Sequence, residues 1–115
     1  RLMLILDLQN GTYETERSGV KLYGEGSFSG EPDQILFGPR RKLLYFTEDG
    51  GDACGVYARY SDGSYFTLFE SIDGVYGDDE TVGIALSLDN RRFYAGIQDA
   101  GLIFEFTRDD GLPFE

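Results

Sequence analysis

Carboxylates stand at both ends of the stretch 31-EPDQILFGPRRKLLYFTEDGG-51. Glu31 and Asp33 flank a proline at its start, and Glu48 and Asp49 precede two glycines at its end. Between them lie two apolar runs split by Gly38-Pro39-Arg40-Arg41-Lys42. Two chemistries suit this spacing. Acidic residues beside Pro and Gly serve as solvated turn and corner residues. Carboxylates held at strand ends are also hard oxygen donors, the type preferred by calcium-like cations. Glu80, in 78-DDET-81, has two acidic neighbours and reads either as part of a charged loop or as a further donor.

Other site chemistries are excluded or weak. The chain has no histidine, which removes His-based triads and His-rich metal centres from within it. Cys54 is its one cysteine, so an internal disulfide and a multi-Cys zinc site are both ruled out. The acidic run 73-DGVYGDDE-80 lacks the alternating acids, central Gly and twelfth-position Glu of an EF-hand. The segment 24-GEGSFSG-30 resembles a phosphate loop, but no Gly-Lys-Ser/Thr closes it and no helical pattern follows. Arg40-Arg41-Lys42 reads as a solvated hairpin tip, and the aromatics of 65-YFTLF-69 and 104-FEF-106 read as strand core.

These residues must be positioned by short strands. The 115 residues suit one core, and 41% hydrophobic with 15% aromatic residues is a folding composition. Sixteen glycines, eight tyrosines and nine phenylalanines favour strands joined by tight turns. The charge balance is acidic, 21 Asp plus Glu against 10 Lys plus Arg, for a formal charge of −11. Such a field repels a nucleic-acid backbone and suits cations, a basic partner face or simple solubility. No apolar run is long enough to span a membrane, and 2-LMLIL-6 is too short for a signal-peptide core.

The chain also repeats. Residues 34–50 lie over 83–100, with Ile35 against Ile84 and Tyr45 against Tyr94, both 49 residues apart. After a short gap, 55-GVYARYSDGSYF-66 lies over 101-GLIFEFTRDDGLPF-114. Each unit reads as strand, charged turn, strand, acidic-Gly loop, strand, Asp-Gly turn and an aromatic strand or its start. The segment 4-LILDLQNGTYE-14 resembles the later half of a unit, with Asn10-Gly11 where Asp62-Gly63 and Asp110-Gly111 stand. Alternation puts Val56, Ala58 and Tyr60 on one face of a strand and Tyr57 and Arg59 on the other. It likewise sets Leu102, Phe104 and Phe106 against Ile103 and Glu105. A period near fifty carrying about four strands predicts an all-β chain of antiparallel β-propeller blades. The expected division is the end of a preceding blade and a linker over 1–30, a blade over 31–78, and most of a following blade over 79–115. Two blades fall short of a closed ring, so the expectation is part of a larger propeller, with other blades or neighbouring chains as partners.

The ordered series 31-EPDQILFGPRRKLLYFTEDG-50, 56-VYARYSDGSYFTLFE-70 and 79-DETVGIALSLDNRRFYAGIQDAGLIFEFTRDDG-111 resembles the later blades of the PhoX-type alkaline phosphatases and related secreted propeller proteins. The likeness covers about residues 31–111. It rests on Pro32-Asp33-Gln34-Ile35, Glu48-Asp49-Gly50, Glu80, 87-SLDNRRFY-94 and Gly96-Ile97-Gln98. Gln34 stands where the family has Asn, and Leu88 where it has Pro. The resemblance implies a metal-dependent phosphomonoesterase whose calcium and iron centre is gathered from several blades. It makes Asp33, Glu48 and Glu80, with Asp49, the metal-ligand candidates, a phosphate ester the substrate, and the location extracytoplasmic. Two blades cannot assemble such a centre, so this chain alone is expected to be inactive. The rival expectations are a non-enzymatic scaffold or extrinsic subunit, and a lactonase-like or sugar-binding propeller.

Overall fold

The computed structural model describes residues 2–17, 31–38, 40–49, 54–71, 75–76 and 79–115. Nine strands form within these residues, and no helix. They are β1 (Leu2–Asp7), β2 (Thr12–Arg17), β3 (Glu31–Gly38), β4 (Leu43–Asp49), β5 (Gly55–Arg59), β6 (Tyr65–Glu70), β7 (Thr81–Leu86), β8 (Arg92–Ile97) and β9 (Leu102–Thr107). All pairings are antiparallel between sequence neighbours, giving sheets of two strands (β1-β2), four (β3-β4-β5-β6) and three (β7-β8-β9).

The turns follow from residue chemistry. Gly11, Gly63 and Gly111 follow Asn or Asp and take positive φ of 66°, 88° and 65°, where a Cβ would be strained. Asp7 Oδ1 accepts the amides of Gln9 and Asn10, and Asp62 Oδ1 accepts the amide of Ser64, so both turns are side-chain locked. Arg40-Arg41-Lys42 does form the β3–β4 turn, with Lys42 at φ 54°. The segment 24–30 and the loop 50–53 lie outside the described residues.

The repeat extends to strand register. Leu36 pairs with Tyr45 and Phe37 with Leu44, while Ala85 pairs with Tyr94 and Leu86 with Phe93. Each residue of the second set follows its counterpart by 49, the interval read from the sequence. A bulge also recurs, between Pro32 and Ile35 in the first sheet and between Val82 and Ala85 in the second.

The four- and three-stranded sheets pack face to face. Leu43, Tyr45, Val56 and Ala58 from the former meet Phe93 and Ala95 from the latter in one buried cluster. Aromatic rings dominate the seam: Tyr45 and Phe93 centroids are 5.1 Å apart, and Phe69 lies 5.3 Å from Phe106. Such tilted pairs add about 0.5–1.5 kcal/mol each beyond their area burial. The expected faces of β5 are found, with Val56 and Ala58 in this cluster, Tyr60 packed against it, and Tyr57 in a separate one with Phe46 and Tyr65.

Residues 112–115 depart from the repeat. Where the first sheet has its aromatic fourth strand, these form no strand and run back to the four-stranded sheet. Phe114 enters the core 5.7 Å from Phe93, and its carbonyl accepts the Tyr45 hydroxyl at 2.8 Å. Burial pushes that hydroxyl up to about 12. Glu115 Oε1 accepts the Arg40 amide at 2.6 Å, lying against Gly38, where a Cβ would leave 2.9 Å to its Cγ.

Candidate functional site

The acidic strand ends occupy three different environments. Asp33 lies in the β3 bulge and is exposed. Beside it, the Gln34 amide donates to Thr47 Oγ1 at 3.0 Å, and Gln34 Oε1 accepts the Gly83 amide at 2.7 Å. Gln34 therefore ties the start of β3 to β7 in the next sheet. Glu80 is half-buried just before β7, and its carbonyl accepts the Gln98 amide at 2.9 Å. Asp33 and Glu80 thus flank one inter-sheet tie.

Glu48 faces elsewhere. Successive strand residues point to opposite faces, and Thr47 pairs with Val56 on the face that meets the next sheet. Glu48 shares the other face with Phe46 and Tyr57, and is fully buried. The Tyr57 hydroxyl donates to Glu70 Oε1 at 2.8 Å. Burial first, then the Glu70 hydrogen bond and the Glu48 charge, hold that hydroxyl far above its ordinary range. It remains a neutral donor across physiological pH, poised between two carboxylates rather than acting as a base. The side chain of Asp49 lies outside the described residues.

The adjacent acids 78-DDET-81 hold a role not read from the sequence. Asp79 Oδ1 accepts the amides of Glu80 and Asp99, each at 2.8 Å, and Oδ2 accepts that of Ala100 at 3.0 Å. It pins the β8–β9 turn to the start of β7. Desolvation pushes its carboxyl up, but the three amide bonds outweigh it and hold the carboxyl below its usual range. A depressed carboxyl contributes stability that is present above the unfolded-state value, about 3.9, and lost as pH falls through the folded one. Asp7, Asp62, Asp89 and Asp110 are also held low by local hydrogen bonds. Stability is therefore expected to fall steeply below about pH 4. Asp79→Asn should flatten that acid limb in urea denaturation followed across pH and lower the midpoint at pH 7.

In kind, these oxygen donors suit a hard cation. Among the described residues no group of three or more metal-ligating side chains comes together. Cys54 is buried and free. An open depression of about 450 Å³ lies near Leu68, Phe106, Arg108 and Asp110, away from these acids. Its guanidinium is held by Asp110 at 2.5 Å and 2.9 Å. No helix among the described residues is long and apolar enough to cross a membrane. Comparison with protein-family models, with curated proteins and with solved structures gave no match.

Proposed function

We propose that this chain is a segment of a β-propeller of the metal-dependent phosphomonoesterase kind, contributing Asp33 and Glu80 to a calcium-type centre completed by further sheets, while Glu48, turned to the other face, stays with Tyr57. The observation that carries this reading is the Gln34–Gly83 hydrogen bond. It aligns the starts of two strands related by the 49-residue repeat, each with a carboxylate beside it. Carboxylates at corresponding strand starts are how stacked sheets converge oxygen donors from distant sequence positions. The chain's part would be to hold carboxylate oxygens in place. Calcium, with or without iron, would supply the charge that offsets a phosphate ester and activates an attacking oxygen. The resemblance over residues 31–111 also supports an extracytoplasmic location.

A scaffold or extrinsic-subunit role is the second reading, favoured by the formal charge of −11, which suits a partner with a basic face. Calorimetric titration with calcium separates the two. The enzyme-segment reading expects weak saturable binding, with Kd about 10⁻⁴–10⁻³ M, weakened roughly tenfold in Asp33→Asn and Glu80→Gln. A folded chain that shows no saturable calcium binding would leave the scaffold reading. Hydrolysis of p-nitrophenyl phosphate by the longer assembly, lost with the same variants, would complete the enzyme case.

A further inference from the structure

Ile35 and Phe37 are large apolar residues on β3, yet 69% and 58% exposed. Their register partners, Phe46 and Leu44, put them on the sheet face turned away from β7. The residues 49 positions later, Ile84 and Leu86, sit on the equivalent face of the next sheet. There they are half-buried, packed against the cluster that contains Leu43 and Tyr45. One surface therefore occurs twice in this chain, once covered throughout and once open along β3, where Ile35 and Phe37 stand clear of the buried Phe46 and Tyr57 on the same face. The covered copy shows what the open one is shaped to receive.

We infer that the Ile35–Phe37 face is a docking surface for an antiparallel pair of β-strands carrying an apolar face like that of Leu36, Leu43 and Tyr45. In sequence, β1 and β2 match the later strand pair of a unit, and among the described residues β1 pairs only with β2. The incoming strands would be a pair of the β3–β4 type, the earlier half of a unit, set beside the later half that β1 and β2 resemble. They would lie along the open edge of β1 and over β3, continuing the stacking already made between the four- and three-stranded sheets. This inference stands on the repeat and does not depend on the phosphomonoesterase reading.

The opposite end of the stack is finished differently. Arg92, Tyr94 and Glu105 correspond by register to Leu43, Tyr45 and Ala58, which are buried. Tyr94 donates to Glu105 Oε2 at 2.8 Å, and Arg92 lies 3.5 Å from Glu105 Oε1. A polar outer face of this kind ends a stack, as in the capping units of repeat proteins. A second copy offers no free partner surface, because its own Leu43–Tyr45 face is already covered by Phe93 and Ala95. The charge of −11 on each copy opposes self-association further.

The test is fluorescence anisotropy of a labelled peptide with the sequence of residues 31–49, titrated with the whole chain. Saturable binding is expected, weakened at least tenfold by Phe37→Asp and unchanged by Leu88→Asp, a fully exposed turn position. Phe37→Asp should leave the unliganded chain's urea midpoint nearly unaltered, since the side chain is open to solvent. Three results would overturn the inference: no saturation up to millimolar chain, equal binding by the Phe37→Asp chain, or a core-like fall in that variant's midpoint. Concentration-dependent sedimentation abolished by Phe37→Asp would instead make a second copy the occupant.

Discussion

Replacing Phe93 by alanine is expected to cost about 3–5 kcal/mol, a large share of the about 5–15 kcal/mol by which small domains are stable. Phe93 is fully buried and touches both Tyr45, at 5.1 Å, and Phe114, at 5.7 Å. It therefore joins three parts: the four-stranded sheet, the three-stranded sheet and the returning C-terminal residues. Truncation leaves a cavity between two rings that are themselves tied together by the Tyr45–Phe114 hydrogen bond. The matched comparison is Ile103→Ala on the outer face of the same sheet, 81% exposed, where a change within about 0.5 kcal/mol is expected. Urea denaturation of both variants measures the contrast. A harmless Phe93→Ala with a costly Ile103→Ala would mean that the sheets stack through the opposite face.

Much of this architecture was legible because strand phase is written into the residues. Ile35 with Ile84 and Tyr45 with Tyr94 hold both the interval and the pleat, so the paired registers follow from one alignment. The β5 alternation of Val56 and Ala58 against Tyr57 marked both faces correctly. On β9 it was looser: Phe104 and Phe106 are half-buried, but Leu102, at the strand's first position, is 39% exposed. The C-terminal residues were not legible. Leu112-Pro113-Phe114 looks the same locally whether it opens a strand or folds back. Only the three-dimensional gap beside Phe93 and the acceptor position opposite the Arg40 amide distinguish the two.

The acidic sites were legible as strand ends but not as a constellation. Asp33 and Glu48 flank the same hairpin, yet one is solvent-exposed and the other fully buried. The alternation Phe46-Thr47-Glu48 contained that signal, since it sets Glu48 on the face of Phe46. Asp79 and Glu80 are indistinguishable as neighbouring acids. Their division of labour depends on where the amides of Asp99 and Ala100 arrive, about twenty residues later in the chain. Tyr57 read as the back of a strand, and its contact with Glu70 required the β5–β6 register, which a bulge shifts between Val56 and Tyr57.

The same register makes Gly55 the second position where a small change should have a large effect. It pairs with Glu70 at the start of β5, and an added Cβ would lie 2.5 Å from the Phe69 carbonyl oxygen, 3.1 Å from the Tyr57 hydroxyl and 3.2 Å from the Glu70 Cα. Two of these are backbone atoms of a paired strand and cannot yield without parting β5 from β6. Gly55→Ala is therefore expected to lose about 2–3 kcal/mol through overpacking, measured as a lowered urea midpoint. Gly63→Ala, strained by its positive φ but with room for a Cβ, should lose only about 1 kcal/mol. Adding Tyr57→Phe to Gly55→Ala removes just the hydroxyl contact, so partial rescue is expected. Full rescue would mean that the hydroxyl, and not the Phe69 carbonyl, sets the limit. Strand β5 would then be free to shift, and the position of Tyr57 between Glu48 and Glu70 would rest on its hydrogen bonds alone.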